Sequence, residues 1–104
     1  MSDEEPLTLA ALVEVVAGEL EGVTARSVPG GVELLRGTRL FAALRRGTLS
    51  VPLGGALARA AVRTPDAVAG VDGEDWVDFS PPVLDRYAED RARSWIAAAW
   101  RRAE

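Results

Sequence analysis

The sequence of 104 residues contains no cysteine, histidine, lysine, asparagine or glutamine. Without cysteine there are no disulfides, thiolate metal sites or cysteine nucleophiles. Without histidine the chain lacks the commonest general base and metal ligand at neutral pH, which excludes a Ser-His-Asp triad and a histidine-containing zinc site. Without lysine, Schiff-base chemistry is excluded as well. We therefore predict a protein that is not an enzyme, with no catalytic residue, cofactor or metal site.

Positive charge comes from a single residue type, because all twelve basic residues are arginine. The net charge of the chain is −4. Codon usage in a GC-rich bacterial genome explains this composition, and so does a selected use of arginine as an anion ligand. The charges are arranged in blocks. Residues 1–22 and 66–85 each carry six acids and no base, whereas residues 26–63 carry seven arginines and one acid. The blocks predict either acidic and basic elements packed together or an arginine surface that meets an anion.

Length and apolar content predict a single small domain over residues 1–104. The apolar fraction of 48% is ordinary for a globular protein and too high for a disordered one. The acidic start, residues 1–6, lacks the basic region of a signal peptide, and no apolar run approaches the length of a membrane span. These features predict a cytoplasmic protein without membrane contact.

Hydrophobic periodicity and turn residues predict an α+β fold, with three helices and a mainly antiparallel four- to five-stranded sheet in the order α-β-β-β-β-α-β-α. Thr8 is the expected N-cap of the first helix and Gly22 its stop. Pro52 marks the fourth strand as an edge or its end. Ser80-Pro81-Pro82 is expected to open the last helix. The predicted helices are residues 8–21, 56–63 and 80 onward, and the predicted strands are residues 23–28, 32–36, 39–45, 49–53 and 75–79.

The last helix shows an apolar stripe at helical spacing, formed by Leu84, Tyr87, Ala88, Trp95 and Ala99. Trp100 lies about 140° around the helix from Trp95 and so at the edge of this stripe. We expect Trp76 and Trp95 to be buried and Trp100 to be substantially exposed, where it packs near the N-terminus or anchors a partner.

Two predicted hairpin turns, a type II′ turn at Gly37-Thr38 and a weaker one at Arg46-Gly47, assign the sheet residues to faces. Strict alternation gives two sets. The predicted core face holds Leu35, Leu40, Ala42, Leu44, Leu49, Val51 and Leu53. The other face holds Val32, Leu34, Arg36, Arg39, Phe41, Arg45, Thr48 and Ser50.

The second face suggests an interaction surface, formed by Arg36, Arg39, Phe41 and Arg45 together with Trp100 of the last helix. An aromatic flanked by arginines on an open sheet is one way of binding single-stranded RNA. A cover of Leu34 and Phe41 by the first helix or by a second chain is the other interpretation, since an open apolar patch is unusual for a monomer.

The acids Asp72, Glu74, Asp75 and Asp78 are clustered but lack the ligand spacing of a calcium loop. Their pattern favours a solvated loop whose acids pair with arginines.

Three segments, VELLRGTRLFAALRRGTLSVPL, GVDGEDWVDFS and SWIAAAW, resemble a group of small actinobacterial domains that carry the label "luciferase family protein" without being luciferases. More distantly the chain resembles MmcQ/YjbR-like domains. The resemblance covers about residues 30–100 and implies an α+β domain of unknown function, and the MmcQ/YjbR label implies DNA binding. Histidine-bearing positions of the first group are Ala43, Arg45 and Arg46 here, so no role of those histidines carries over.

We predict an interaction module that binds protein partners or a second copy of itself as a homodimer. The alternatives are nucleic-acid binding through the arginine-bearing face, which the acidic balance disfavours, and a small-ligand-binding or enzymatic domain.

Overall fold

In a computed structural model that describes residues 8–103, the chain folds as a six-stranded antiparallel sheet with three helices. The α+β prediction is confirmed, with six strands in place of four or five. The helices are α1 (Leu9–Glu19), α2 (Gly55–Ala61) and α3 (Arg86–Arg102). The strands are β1 (Val23–Val28), β2 (Gly31–Arg36), β3 (Arg39–Arg45), β4 (Thr48–Pro52), β5 (Ala67–Ala69) and β6 (Trp76–Phe79).

The strands lie in the order β1-β2-β3-β4-β6-β5. The sixth strand is β5, which falls inside a predicted loop and has only three residues, too few for a periodic pattern. β4 is an inner strand paired with β3 and β6. Pro52 therefore marks the end of β4 and not an edge of the sheet.

The two predicted hairpin turns are present and use backbone conformations that suit their sequences. Gly37 has a φ of 64°, and Arg36 pairs with Arg39 across its turn. Arg46 and Gly47 both have positive φ, 54° and 82°, as in a type I′ turn. This places Arg45 opposite Thr48.

Side chains cap the N-termini of both long helices. Thr8 accepts a hydrogen bond from the Ala11 N–H at 3.1 Å, as predicted, and Asp85 accepts one from the Ala88 N–H at 2.9 Å. The expectation that Ser80-Pro81-Pro82 opens the last helix is wrong, because Asp85 supplies the cap five residues further on. Tyr87 is correspondingly 73% exposed and does not belong to the buried stripe.

Buried residues of all three helices join a single core on one face of the sheet, and no described helix packs on the other face. The core holds three residues of α1 and five of α3 against the inner side chains of β4 and β6. Phe79 and Trp95 meet edge to face, with ring centroids 5.1 Å apart. Within residues 8–103, every helix is too short or too polar to cross a lipid bilayer.

A β-bulge in β3 changes the predicted faces of β2 and of the start of β3. Leu35 pairs with Leu40, but Leu34 pairs with Ala42, so Phe41 is an extra residue. Leu34 and Phe41 therefore lie in the core, 1% and 0% exposed, whereas Leu35 turns to the face without helices. The strict alternation was wrong here because one inserted residue moves the side chains beyond it to the opposite face.

Candidate functional site

The five residues predicted to form an interaction surface do not share one surface. Phe41 is in the core, and Arg45 lies on the sheet face without helices. Arg36 and Trp100 lie together at the C-terminal end of α3, and Arg39 lines a cleft at the end of the sheet. The bulge at Phe41 is the physical reason for this separation, because it places Arg36 and Arg45 on opposite faces.

Arg36 and Trp100 bind each other and the helix end. The Arg36 Nη1 donates to the Trp100 carbonyl at 2.7 Å, and its guanidinium lies 4.0 Å from the centroid of the Trp100 ring. The Trp100 Nε1 donates to the Glu21 carbonyl at 2.9 Å. Trp100 is thus half-buried against the α1–β1 connection, more enclosed than predicted, and its contacts are those of a structural anchor.

A row of charges of alternating sign crosses the sheet face without helices. The Arg26 Nε donates to a Glu33 oxygen at 3.1 Å, and Arg45 bonds Glu33 at 3.4 Å and Asp72 at 3.3 Å. The hydrogen bond from Arg26 is the main cause that holds the pKa of Glu33 below its ordinary value of 4.5, with a further contribution from Arg45. We call Arg26, Glu33, Arg45 and Asp72 the charge row.

One acid of the predicted acidic loop, Asp72, belongs to the charge row. Asp72 pairs with Arg45 as the sequence predicted for the loop acids, and Asp78 accepts a hydrogen bond from the Ser50 hydroxyl at 2.8 Å. In the part of the chain that the structure describes, no group of three or more acids is arranged to hold a metal ion.

β1 is a long edge strand with a neighbour on one side only within residues 8–103. Its six residues end in half-buried valines, and its four central side chains, from Thr24 to Ser27, are exposed. The opposite edge is the three-residue β5. β1 therefore presents a longer row of outward backbone N–H and C=O groups than β5 does.

Three surface clefts lie near α3, and they differ in charge. The first, about 380 Å³, includes Asp66, Asp85 and Arg91, and the second, about 350 Å³, includes Asp90 and Arg91. The third, about 240 Å³, is lined by Arg39, Leu40, Phe41, Pro52, Trp76, Ala99, Arg102 and Ala103. Among the described residues, this third lining combines two guanidinium groups with no carboxylate. We call it the arginine cleft.

The arginine cleft lies next to the bulge at Phe41, where the pairing of β3 with β4 ends. β3 pairs with β4 only at Ala43–Arg45 and Thr48–Ser50. The first part of β3 and the end of β4 are not paired with each other, and the Arg102 Nη1 donates to the Pro52 carbonyl at this end of the sheet, at 3.1 Å. No local sequence signal predicts this contact, because it joins residues 50 positions apart in the chain.

A scan against models of known protein families, a search of curated proteins and a search of solved structures found no match to this chain. These comparisons do not bear on the resemblance to the "luciferase family protein" or MmcQ/YjbR-like domains.

Proposed function

We propose that this protein is an interaction module that binds a second copy of itself through β1. The observation that supports the proposal is the exposed six-residue edge strand β1, the longer of the two edges of the sheet among the described residues. Antiparallel pairing of β1 with its copy joins the two sheets by main-chain hydrogen bonds, which do not depend on particular side chains. The absence of histidine, cysteine and lysine supports a binding role over catalysis.

Two-fold symmetry limits the register of such a pair. The helices of the two copies lie on the same side of the joined sheet only if each β1 residue lies opposite a residue that faces the same way in the other copy. Centring the axis on Ala25 satisfies this condition and places Thr24 opposite Arg26 of the second copy. The two arginines then avoid the direct opposition that centring on Arg26 would cause.

Charge also favours a second copy as the occupant. Arg26 is the one charged side chain of β1, and it is paired with Glu33 within its own chain. Two β1 strands therefore meet without uncompensated like charge. The strand has no proline, lysine or bulge among its described pairs, the usual devices that prevent edge-to-edge pairing.

The test is the molar mass of the purified protein by light scattering after size exclusion. We expect a dimer in the wild type and a folded monomer in the double variant Thr24→Lys/Ser27→Lys, which sets like charges at the edge on both faces. The matched control is Val68→Lys on the short edge strand β5, which should remain dimeric. A monomeric wild type, or a dimer that survives both lysines, would overturn the proposal.

The sequence feature that suggested nucleic-acid binding is not formed in the structure. That hypothesis needed an exposed aromatic between arginines on the sheet, but Phe41 is buried and Arg36 is bound to Trp100. We therefore do not propose it as a second function.

A further inference from the structure

We propose that the arginine cleft binds a small organic acid, with a carboxylate held by Arg39 and Arg102 and a flat apolar body lying against Trp76. This proposal is independent of the pairing of β1, which lies at the edge of the sheet. It rests on the charge, the contacts and the size of the cleft.

The charge of the lining favours an anion. Arg39 and Arg102 are its two charged side chains, and neither forms a salt bridge with a residue in the range 8–103. Arginine matches a carboxylate geometrically, because its fork of N–H donors forms two parallel hydrogen bonds. In the other two clefts Arg91 is accompanied by acids, which would oppose an anion.

The backbone carbonyls at the C-terminal end of α3 lie near the cleft, where their negative potential would oppose an anion. Two of them accept hydrogen bonds that weaken this potential. The Ala103 N–H donates to the carbonyls of Ala99 and Trp100, at 3.1 and 3.2 Å, and Arg36 adds a donor to Trp100. Capping of these groups reduces the negative potential of the helix end. Arg102 is held in place by its bond to Pro52, so one cation is positioned before a ligand binds.

The rest of the lining is apolar and partly aromatic. Trp76 is half-buried and is the aromatic residue of the lining that remains accessible, because Phe41 is fully buried behind it. The small residues Ala99 and Ala103 form the α3 side of the cleft. The volume of about 240 Å³ is below the range of about 300–1,000 Å³ typical of drug-sized ligands. The cleft is therefore suited to an acid with a single ring and not to a nucleotide or a long acyl chain.

The experiment is a titration of the ¹⁵N-labelled full chain with benzoate, followed by amide and indole chemical shifts. We expect saturable shifts at the Trp76 indole N–H and at the amides of Ala99 and Ala103, with a dissociation constant in the range of about 0.1–10 mM. Benzamide, which has the ring without the charge, and inorganic phosphate, which has the charge without the ring, should each bind about tenfold more weakly or worse.

Arg39→Gln tests the role of the cation, because Arg39 is exposed beside a turn and its replacement should leave the fold intact. We expect this variant to lose at least about tenfold in benzoate affinity. Arg63→Gln, which changes an exposed arginine outside the three clefts, should bind as the wild type does. Unchanged binding in Arg39→Gln, equal binding of benzamide or phosphate, or no shifts in the cleft would overturn the proposal.

Discussion

Phe41 is the extra residue of the β3 bulge, and its position decides which side chains face the helices. The ring is fully buried although a simple alternating pattern places it on the outer face. Leu34, its neighbour in β2, is buried with it, while Leu35 is half-exposed on the face without helices. The sequence predicted that the first helix or a second chain covers Leu34 and Phe41. In the structure the two side chains are covered within the chain itself, as part of the core under the helices.

Replacing Phe41 by alanine should lower the free energy of unfolding by about 3–5 kcal/mol, because a large buried ring leaves a cavity in the core. Urea denaturation followed by circular dichroism measures this change. Leu35→Ala is the control and should cost clearly less, since Leu35 is only half-buried. Equal losses in the two variants would contradict the register that the bulge creates.

Glu33 is the acid at the centre of the charge row, and its environment favours the ionised form. Because the hydrogen bond from Arg26 holds the folded-state pKa below 4.5, ionised Glu33 stabilises the folded state at pH values above 4.5. This contribution is lost as the pH falls through the lowered folded-state pKa.

Glu33→Gln should therefore be less stable than the wild type at neutral pH, and its stability should fall less between about pH 5 and pH 3. Chemical denaturation at several pH values measures the two curves. Glu74→Gln, which changes an exposed acid of the β5–β6 loop, should keep the pH dependence of the wild type. If the Glu33→Gln curve runs parallel to that of the wild type, the charge row does not lower the pKa of Glu33.

At the scale of elements, the β2–β3 hairpin depends on a close approach at its open end. A Cβ atom at Gly31 would lie 1.7 Å from the carbonyl oxygen of Leu44, which is backbone and has little freedom to move. Gly31 is therefore required by the space that the paired strand leaves, and any side chain there displaces β2 from β3.

Gly31→Ala should destabilise the protein by about 3 kcal/mol, as for a severe overpacking change. Gly18→Ala is the matched control, because a Cβ atom at this position in α1 meets nothing within 4 Å. It should stabilise the fold by about 0.5–1 kcal/mol, as alanine loses less backbone entropy than glycine in a helix. Thermal melts of both variants check the opposite signs. A neutral Gly31→Ala variant would show that β2 and β3 lie further apart.

The boundaries of elements were predicted where the signal is local. β1 and β3 match the predicted residues 23–28 and 39–45, because turns bound both strands. The start of α3 was placed too early, since proline is acceptable both in a first helical turn and in the loop before a cap. The side chain of Asp85 decides between the two possibilities by accepting the Ala88 N–H.

Over the whole molecule, one salt bridge between described residues joins an acidic block of the sequence to the arginine block, and another joins an acidic block to the last helix. Asp72 from an acidic block pairs with Arg45 from the arginine block, and Glu19 of α1 pairs with Arg93 of α3 at 3.0 Å. These exposed pairs each contribute little to stability. The pair of Asp72 and Arg45 fits the interpretation of acidic and basic elements packed together, while Arg39 and Arg102 line a cleft that holds no acid among the described residues.

The sequence by itself determined the α+β class, the two hairpin turns, the cap at Thr8 and the part of the α3 stripe formed by Ala88, Trp95 and Ala99. These depend on periodicity and on turn residues such as Gly37, whose conformational preferences act over a few positions. Only the tertiary structure decided the bulge at Phe41, the pairing of Arg36 with Trp100 and the placement of Arg39 and Arg102 on one cleft. Each of these depends on contacts between residues distant in the chain, and one extra residue in β3 was enough to exchange the faces on which a surface hypothesis depended.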